Sequence, residues 1–151
     1  METQKERKQY VCGFCFDYSR EKVVLIKKNR PEWQKGKLNG VGGKIEAGET
    51  IHDAMQREFL EETGVDVWAW NLFCTYNGRD GVVYFMKAFS AGAEHVTSVT
   101  DEVVNLYDIR FLNNTDPKWA ENETIPNLKW LIPLAKDILM DKTIAAEYTD
   151  D

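Results

Sequence analysis

The sequence predicts an α/β fold in which a mixed sheet lies between helices. Two observations support this prediction. Stretches rich in Val, Ile, Phe and Tyr, which are typical of strands, occur on both sides of a helical segment in the first half of the chain. A second helical segment follows the last of these stretches. An order of strands, helix, strands and helix favours a sheet that is covered by helices.

The length and composition fit one domain. The chain has 151 residues, of which 43% are hydrophobic and 12% aromatic, so it can bury a substantial core but is short for two domains. We expect a polar tail at residues 1–9, a single domain at 10–141 and a loosely held tail at 142–151.

Two strands are predicted before the first helix. They run from Tyr10 to Tyr18 and from Lys22 to Lys28, and a Ser-Arg-Glu turn joins them. A loop that contains proline and glycine follows, and a short extended stretch from Leu38 to Val41 comes next.

The first helix is predicted from about Thr50 to Thr63. Thr50 can cap its start, and Gly64 can supply the left-handed residue that ends it. No Gly or Pro lies between these two residues to interrupt the helix.

A strong hairpin signal follows this helix. The predicted strands Val67 to Tyr76 and Val82 to Phe89 flank the turn Asn77-Gly78-Arg79-Asp80-Gly81. The alternating Trp68-Ala69-Trp70 is predicted to fill one face of the sheet.

The rest of the chain is predicted to add one short strand and one helix. The strand runs from Glu102 to Tyr107, and a helical turn is predicted from Asp108 to Leu112. An amphipathic helix is predicted from Leu128 to Met140, although Pro133 falls early in it. Its expected buried face consists of Leu131, Leu134, Ala135, Ile138 and Leu139.

Charge and hydropathy exclude several classes of partner. A formal net charge of -6 argues against binding a nucleic-acid polymer, which requires clustered Lys and Arg. No apolar run approaches the ~20 residues of a membrane span, and the charged start from Met1 to Tyr10 lacks the hydrophobic stretch of a signal peptide. We therefore expect a cytoplasmic protein with no membrane partner.

The pair Cys12 and Cys15 could suggest a zinc or redox motif. A structural zinc site needs four ligands, and the remaining candidates, Cys74, His52 and His95, supply no matching second pair. Because both cysteines of the first pair lie in a predicted strand, we expect buried or half-buried free thiols.

The predicted first helix carries a cluster of carboxylates. At roughly 100° per residue, Glu58 and Glu62 project within about 40° of each other, and Glu61 lies about 60° to one side of Glu58. Ile51 and Met55 lie on the same arc, so the carboxylates adjoin the face that packs on the rest of the protein.

Like charges at this spacing repel one another unless a cation lies between them. Oxygen ligands without a matching His or Cys favour Mg²⁺ or Mn²⁺ over zinc. The alternative is an ordinary solvated face, since Glu is a good helix former. The spacing of the whole segment, which follows the flexible pair Gly42-Gly43, favours the metal site.

The segment Gly43 to Val65 resembles the Nudix box, G-x5-E-x7-R-E-U-x-E-E-x-G-U, at every fixed position, with Phe59 and Val65 at the two bulky apolar sites U. The resemblance implies an α/β/α sandwich. It also implies hydrolysis of a nucleoside diphosphate linked to another group, with divalent metals as cofactors.

The resemblance further implies roles for individual residues. Glu58 and Glu62 would be the main metal ligands, Glu61 a further ligand or candidate base, and the Gly42 carbonyl another ligand. Arg57 would hold the loop and the helix in register.

In this arrangement of the loop and the helix, Glu49 would be the partner of Arg57.

Glu102 resembles a loop glutamate that completes the metal site or acts as base in some family members. The alternative is an ordinary loop acid, and Asp101 is the nearest competitor for the same role.

Two further segments resemble enzymes that remove oxidised purine nucleoside triphosphates. In the segment from Leu38 to Lys44, Asn39 would contact the base, since an amide both donates and accepts hydrogen bonds. The segment from Ile125 to Leu134 resembles the start of the last helix, where acidic side chains read the base. Here Asn127 replaces the acid, and a neutral amide could accept an unmodified base as readily.

Other substrate contacts are predicted from local chemistry. Trp119 is a candidate for stacking on the base. Basic residues flank the turn before the box, and we expect one or two of them, with Lys44 as our choice, to touch phosphate while the others are solvated. This basic set is Lys27, Lys28, Arg30, Lys35, Lys37 and Lys44.

The expected reaction converts a nucleoside triphosphate to the monophosphate and pyrophosphate, with a small-molecule nucleotide as partner. Hydrolysis of ADP-ribose or another dinucleotide is the alternative among enzymes. A non-catalytic nucleotide-binding module is a third possibility, although its usual symptom, the loss of a box glutamate, is absent. The sequence leaves open whether the protein is a monomer or a homodimer.

Overall fold

The computed structural model describes residues 7–112, 123–137 and 143–148. Within these ranges the chain forms one eight-stranded sheet and two α-helices. The strands are β1 (Lys8–Phe16), β2 (Lys22–Lys27), β3 (Leu38–Asn39), β4 (Val41–Lys44), β5 (Asn71–Asn77), β6 (Gly81–Phe89), β7 (Val103–Asp108) and β8 (Ile144–Glu147). The helices are α1 (Ile51–Thr63) and α2 (Leu128–Lys136). Short 3₁₀ turns occur at Glu32–Gln34, Ala91–His95 and Ile109–Phe111.

The sheet is mixed, as the sequence predicted. Its main order is β3-β2-β1-β6-β5-β8, with β4 paired to β1 and β7 paired to β2. The central pair, β1 and β6, is parallel, and β5 and β6 form the antiparallel hairpin that was expected from the turn between them.

The alternation of side chains along β1 separates two hydrophobic cores. Val11 and Cys15 belong to the core that contains Ala54, Met55 and Phe59 of α1. Cys12, Phe14 and Phe16 belong to the second core, which contains Leu128, Leu131, Ile132 and Ala135 of α2. Because successive residues of a strand point to opposite faces, α1 and α2 cover opposite sides of the sheet. The predicted helix-sheet-helix arrangement is therefore confirmed.

The ends of α1 agree with the prediction from its capping residues. The Thr50 hydroxyl accepts a hydrogen bond from the Asp53 amide at 3.1 Å, and the Asp53 carboxylate accepts one from the Thr50 amide in return. Gly64 has a φ of 74°, in the left-handed region, and its amide donates to the carbonyl of Leu60.

The prediction that Trp68 and Trp70 fill one face of a sheet is wrong. Strand β5 begins only at Asn71, so both residues lie in the connection after α1. Trp68 is 76% exposed, whereas Trp70 is buried against Phe59 with ring centroids 5.2 Å apart. The Trp70 indole donates to the carbonyl of Val67 at 2.8 Å. An exposed and a buried tryptophan thus alternate here in a connecting segment without forming a strand.

The sheet extends further towards the C-terminus than the sequence suggested. Strand β8 falls within the segment 142–151 that was expected to be loosely held, and it pairs in parallel with β5. The pairing uses the backbone groups of β8, which is an edge strand, and most side chains of β8 are exposed. The hydropathy of the sequence therefore gave no signal for this strand. At the other end, β1 begins at Lys8, inside the predicted polar tail 1–9.

Helix α2 begins at the predicted residue and is described as far as Lys136. Leu131 and Ala135 are buried as predicted, while Leu134 is only partly buried. Ile138, Leu139 and the predicted end at Met140 lie outside the described residues. Cys12 and Cys15 are buried free thiols, as predicted, and Cys74 is a buried free thiol too. Within the described ranges, no helix has both the length and the apolar composition that crossing a bilayer requires.

Candidate active site

Arg57 connects α1 to the loop that precedes it. Its Nε and Nη2 atoms each donate to a different carboxylate oxygen of Glu49, both at 2.8 Å. Such a two-point ion pair fixes orientation as well as charge. The hydrogen bonds from Arg57, followed by one from the Glu46 amide, lower the pKa of the Glu49 carboxyl to about 2.

The same guanidinium holds several other groups in place. Nη2 donates to the Lys44 carbonyl at 3.1 Å, so the end of β4 is joined to the helix. Nη1 donates to Glu58 at 2.9 Å and to Glu61 at 3.3 Å. The hydrogen bonds to Glu49, followed by the one to Glu58, raise the pKa of the Arg57 guanidinium.

Glu58 lies at the centre of this arrangement, and only 13% of its side chain is exposed. Burial raises the pKa of the Glu58 carboxyl, and the charges of Glu61 and Glu62 act in the same direction, whereas the Arg57 hydrogen bond opposes them. The carboxylate lies directly over Gly43, where a Cβ atom would overlap it. Glycine at this position therefore gives the Glu58 carboxylate its place against β4.

Glu62 and Glu61 differ in their surroundings. Glu62 is half-buried and accepts a hydrogen bond from the Thr100 hydroxyl at 2.9 Å. Glu61 is 57% exposed and contacts Arg57. The carboxylate edge that the helical spacing predicted thus lies between Arg57 on one side and the loop before β7 on the other.

Glu102 is buried and fully occupied by neighbours. Its side chain is 3% exposed, and it accepts from the Asn29 amide at 2.6 Å and from Lys28 Nζ at 3.2 Å. The adjacent Asp101 is exposed and pairs with Arg30, and this contact lowers the pKa of the Asp101 carboxyl. Both contacts join the start of β7 to the end of β2.

The donor atoms of the carboxylate edge fit Mg²⁺ or Mn²⁺. In residues 7–112, 123–137 and 143–148, no three His, Cys, Asp or Glu side chains converge closely enough to hold a metal ion as they stand. However, only Oε1 of Glu58 bonds Arg57, and only Oε2 of Glu62 bonds Thr100, so each carboxylate keeps a second oxygen for an ion. A cation there would favour the ionised form of Glu58, whose pKa is raised mainly by burial and further by the charges of Glu61 and Glu62.

The two asparagines proposed to read a base are brought to one region by backbone hydrogen bonds. The Leu38 amide donates to the Glu123 carbonyl at 2.7 Å, and the Ile125 amide donates to the Leu38 carbonyl at 2.9 Å. The segment before α2 therefore runs beside β3, which contains Asn39.

These two asparagines differ in how their amides are satisfied. The Asn39 side chain accepts from the Gly40 amide at 2.8 Å and donates to Gln34 at 3.1 Å. The Asn127 Oδ1 atom is buried and has no hydrogen-bond partner within the described part of the chain. A buried acceptor without a donor is costly, which distinguishes the Asn127 amide from that of Asn39.

The remaining predicted contacts are less informative. The Lys44 side chain is exposed, and its carbonyl is used by Arg57. Trp119 lies outside the described residues.

A family model of the NUDIX domain matches residues 7–131, most of the chain. The chain belongs to the Nudix hydrolase family. The resemblance found from the box is therefore confirmed, and α1 with its preceding loop is the Nudix helix and loop of this protein.

Similarity to characterised Nudix proteins is strong but short. Over 44 residues the chain is 48% identical to an oxidized purine nucleoside triphosphate hydrolase of Danio rerio. This stretch is 29% of the present chain and 28% of the Danio rerio protein, so less than a third of that curated relative is matched.

Solved structures support the fold over a longer range. A structure reported for MutT of Aliivibrio salmonicida and Vibrio cholerae has a TM-score of 0.64 and 23% identity, over 85% of this chain and 98% of that one. The NUDIX domain of Shewanella oneidensis NrtR, complexed with ADP ribose, has a TM-score of 0.67 and 19% identity, over 90% of both chains. At these identities the likeness concerns the Nudix fold alone.

Sequence reasoning missed two partners of the candidate site glutamates: Thr100, which contacts Glu62, and Lys28, which contacts Glu102. Thr100 was not singled out, and Lys28 was considered only among basic residues near phosphate. Neither residue has a fixed spacing from the box, and a threonine in a loop has no distinctive pattern. Only the fold brings them to α1 and β7.

Proposed function

We propose that this Nudix protein hydrolyses a nucleoside triphosphate, most favourably one with a purine base, to the monophosphate and pyrophosphate in the presence of Mg²⁺ or Mn²⁺. The observation that carries the proposal is the carboxylate edge of α1. Glu58 and Glu62 each offer an oxygen there, and the Glu58 carboxylate lies over Gly43 of β4.

Glu58 and Glu62 would hold the metal, together with Glu61 and the carbonyl of Gly42. When bound, the ion neutralises charge on the diphosphate and lowers the pKa of a water molecule, which makes that water a nucleophile near neutral pH. Arg57 restrains the rotation of Glu58 and Glu61, and Glu49 in turn fixes the plane of the guanidinium. Phosphoryl transfer depends mostly on such positioning and on electrostatics.

Glu102 was considered either as a metal ligand or base, or as an ordinary loop acid. Its hydrogen bond from Asn29 and its ion pair with Lys28 support an anchoring role in the form described here. Both of its oxygens are occupied by these partners, because Asn29 contacts Oε2 and Lys28 contacts Oε1. Direct metal binding would require the carboxylate to leave a buried ion pair.

The base would be read by the two asparagines. Oδ1 of Asn127 offers an acceptor that an N–H group on the edge of a purine could satisfy. Since this amide is neutral, it supports acceptance of both unmodified and oxidised purines. We assign stacking on the base to Trp119 and a phosphate contact to Lys44, as the sequence suggested.

A substrate panel tests this function. The full chain is incubated with Mg²⁺ and, in turn, purine and pyrimidine nucleoside triphosphates, 8-oxo-dGTP and ADP-ribose, and the products are separated by chromatography. We expect pyrophosphate and a monophosphate from a purine nucleoside triphosphate. Failure to cleave any member of the panel would contradict the proposal.

The decisive variant is Glu62→Gln, which keeps the shape of the side chain but removes its charge. We expect loss of turnover with an unchanged urea midpoint. Glu94→Gln, at an exposed carboxylate in a 3₁₀ turn, is the matched control and is expected to retain full activity. Equal activity of Glu62→Gln and the wild type would remove the mechanism.

Hydrolysis of ADP-ribose is the second candidate, because the NrtR domain with a similar fold binds that ligand. The two reactions differ in their products. ADP-ribose gives AMP, whereas a nucleoside triphosphate gives pyrophosphate. The same panel therefore distinguishes them, and binding without any product would favour a non-catalytic module.

A further inference from the structure

The loop from Thr97 to Glu102 is attached both to the end of α1 and to the start of β7. The Thr97 amide donates to the carbonyl of Thr63 at 3.0 Å. The Ser98 hydroxyl accepts from the Val104 amide at 2.9 Å. These contacts set the path of the loop, so that its middle passes the C-terminal turn of the Nudix helix.

The Thr100 hydroxyl lies between two glutamates in this loop. It accepts a hydrogen bond from the Glu102 amide at 3.2 Å and contacts Glu62 Oε2 at 2.9 Å. An ionised carboxylate has no hydrogen to donate, so the hydroxyl hydrogen must point to Glu62. The Glu102 amide thus holds the Thr100 oxygen on one side, while the hydroxyl donates to Glu62 on the other.

The Glu102 amide is itself held by the burial of its own side chain. The Glu102 carboxylate accepts from the Asn29 amide at 2.6 Å and from Lys28 at 3.2 Å, with 3% of the side chain exposed. Asn29 and Lys28 directly follow β2, which pairs with β7 along its length. The pairing of β2 with β7 thus helps to place the Thr100 hydroxyl beside Glu62.

We propose that Thr100 is a positioning residue, which holds the Glu62 carboxylate in the orientation that binds the divalent ion. The proposal rests on the function proposed above, because it concerns the same metal site. Without the hydroxyl, Glu62 would have to be ordered by the ion itself, and affinity would fall. Loss of partners that orient metal ligands typically weakens binding by about 10-fold to 100-fold, and we expect roughly 10-fold for this partly exposed contact.

The test compares three variants of the full chain. Thr100→Val removes the hydroxyl and keeps the side-chain shape, whereas Thr100→Ser keeps the hydroxyl. Thr97→Val, on the same loop, is the control because its hydroxyl contacts the Thr63 carbonyl at 3.4 Å and not a carboxylate. The dissociation constant of Mn²⁺ is measured by electron paramagnetic resonance without nucleotide, and the urea midpoint is measured in parallel.

We expect Thr100→Val to bind Mn²⁺ roughly 10-fold more weakly, and Thr100→Ser and Thr97→Val to bind within about twofold of the wild type. The turnover rate of Thr100→Val is expected to recover at high Mg²⁺, which a general loss of stability would not produce. Wild-type affinity in Thr100→Val, or equal weakening in Thr100→Ser, would overturn the proposal.

A double-mutant cycle shows whether the effect passes through Glu62. In a Glu62→Ala background, Thr100→Val is expected to cause no further loss of Mn²⁺ affinity. The same loss in both backgrounds would overturn the proposal, since Thr100 would then act elsewhere. A wild-type protein that neither binds Mn²⁺ nor cleaves the substrate panel would instead refute the proposed function, and this inference with it.

Discussion

The adjacent glycines of β4 are expected to respond to the same substitution in different ways. A Cβ atom at Gly42 would overlap the carbonyl of Val11 in β1, which is backbone and cannot rotate away. The nearest neighbours of a Cβ atom at Gly43 would be the carboxylate atoms of Glu58, which lie at the end of a side chain that can shift more readily than backbone. We therefore predict that one alanine damages the fold and the other damages the site.

The magnitudes follow from the contacts that each substitution disturbs. Gly42→Ala would separate β4 from β1, whose register runs from Tyr10↔Lys44 to Gly13↔Val41. With backbone hydrogen bonds at about 0.5–1.5 kcal/mol each, loss of about four of them costs roughly 2–6 kcal/mol. The free energy of unfolding of a typical domain is roughly 5–15 kcal/mol, so this loss would be a large fraction of it.

Gly43→Ala would displace Glu58 and so weaken its hydrogen bond from Arg57, which is 2.9 Å long. A hydrogen bond to a charged group contributes about 1.5–3 kcal/mol, and that is an upper limit here because Arg57 keeps its contacts with Glu49. The fold is expected to survive, but Mn²⁺ affinity is expected to fall by roughly 10-fold or more because a proposed ligand has moved.

Urea unfolding, followed by tryptophan fluorescence, gives the free energy of unfolding, and electron paramagnetic resonance gives Mn²⁺ binding for each variant. The reasoning would be refuted by a wild-type unfolding free energy in Gly42→Ala. It would equally be refuted by a Gly43→Ala protein that is as unstable as Gly42→Ala, or that binds Mn²⁺ with wild-type affinity.

Two further predictions concern the Nudix helix and its loop. Phe59→Ala removes a fully buried ring that packs on Trp70, and we expect it to lower the free energy of unfolding in urea by about 3–5 kcal/mol. Leu60→Ala, at a side chain that is 44% exposed, is the control and is expected to lower it by less than about 1 kcal/mol. Equal losses in the two variants would contradict the packing of Phe59 on Trp70. The second prediction concerns Glu49, whose carboxyl pKa is lowered from 4.5 to about 2 on folding, mainly by the hydrogen bonds from Arg57. The contribution of the ionised Glu49 to stability is therefore complete above pH 4.5 and declines as the pH falls towards 2. We therefore expect the difference in urea midpoint between the wild type and Glu49→Gln to be constant from about pH 5 to 8 and to become smaller below about pH 4.5. A difference that stays constant down to about pH 2.5 would contradict the assignment of this effect to Glu49.

The tryptophan pair and the last strand show where pattern reasoning fails. The alternation of Trp68 and Trp70 matched a strand, yet the residues lie in a connection where one ring packs on α1 and the other is exposed. Strand β8 had no hydrophobic alternation, because its position at the edge of the sheet depends on backbone pairing with β5. In both cases the neighbours, and not the local sequence, determine the structure.

The sequence by itself determined the Nudix helix, its caps, and the shared edge of Glu58 and Glu62. These features lie within a short continuous segment, where the pitch of the helix fixes which side chains are neighbours.

Only the tertiary structure decided what surrounds that edge. Thr100 reaches Glu62 across 38 residues of chain, and Lys28 reaches Glu102 across 74. No periodicity relates residues so far apart. Their meeting depends on the pairing of β2 with β7, which is set by how the whole sheet buries its two faces.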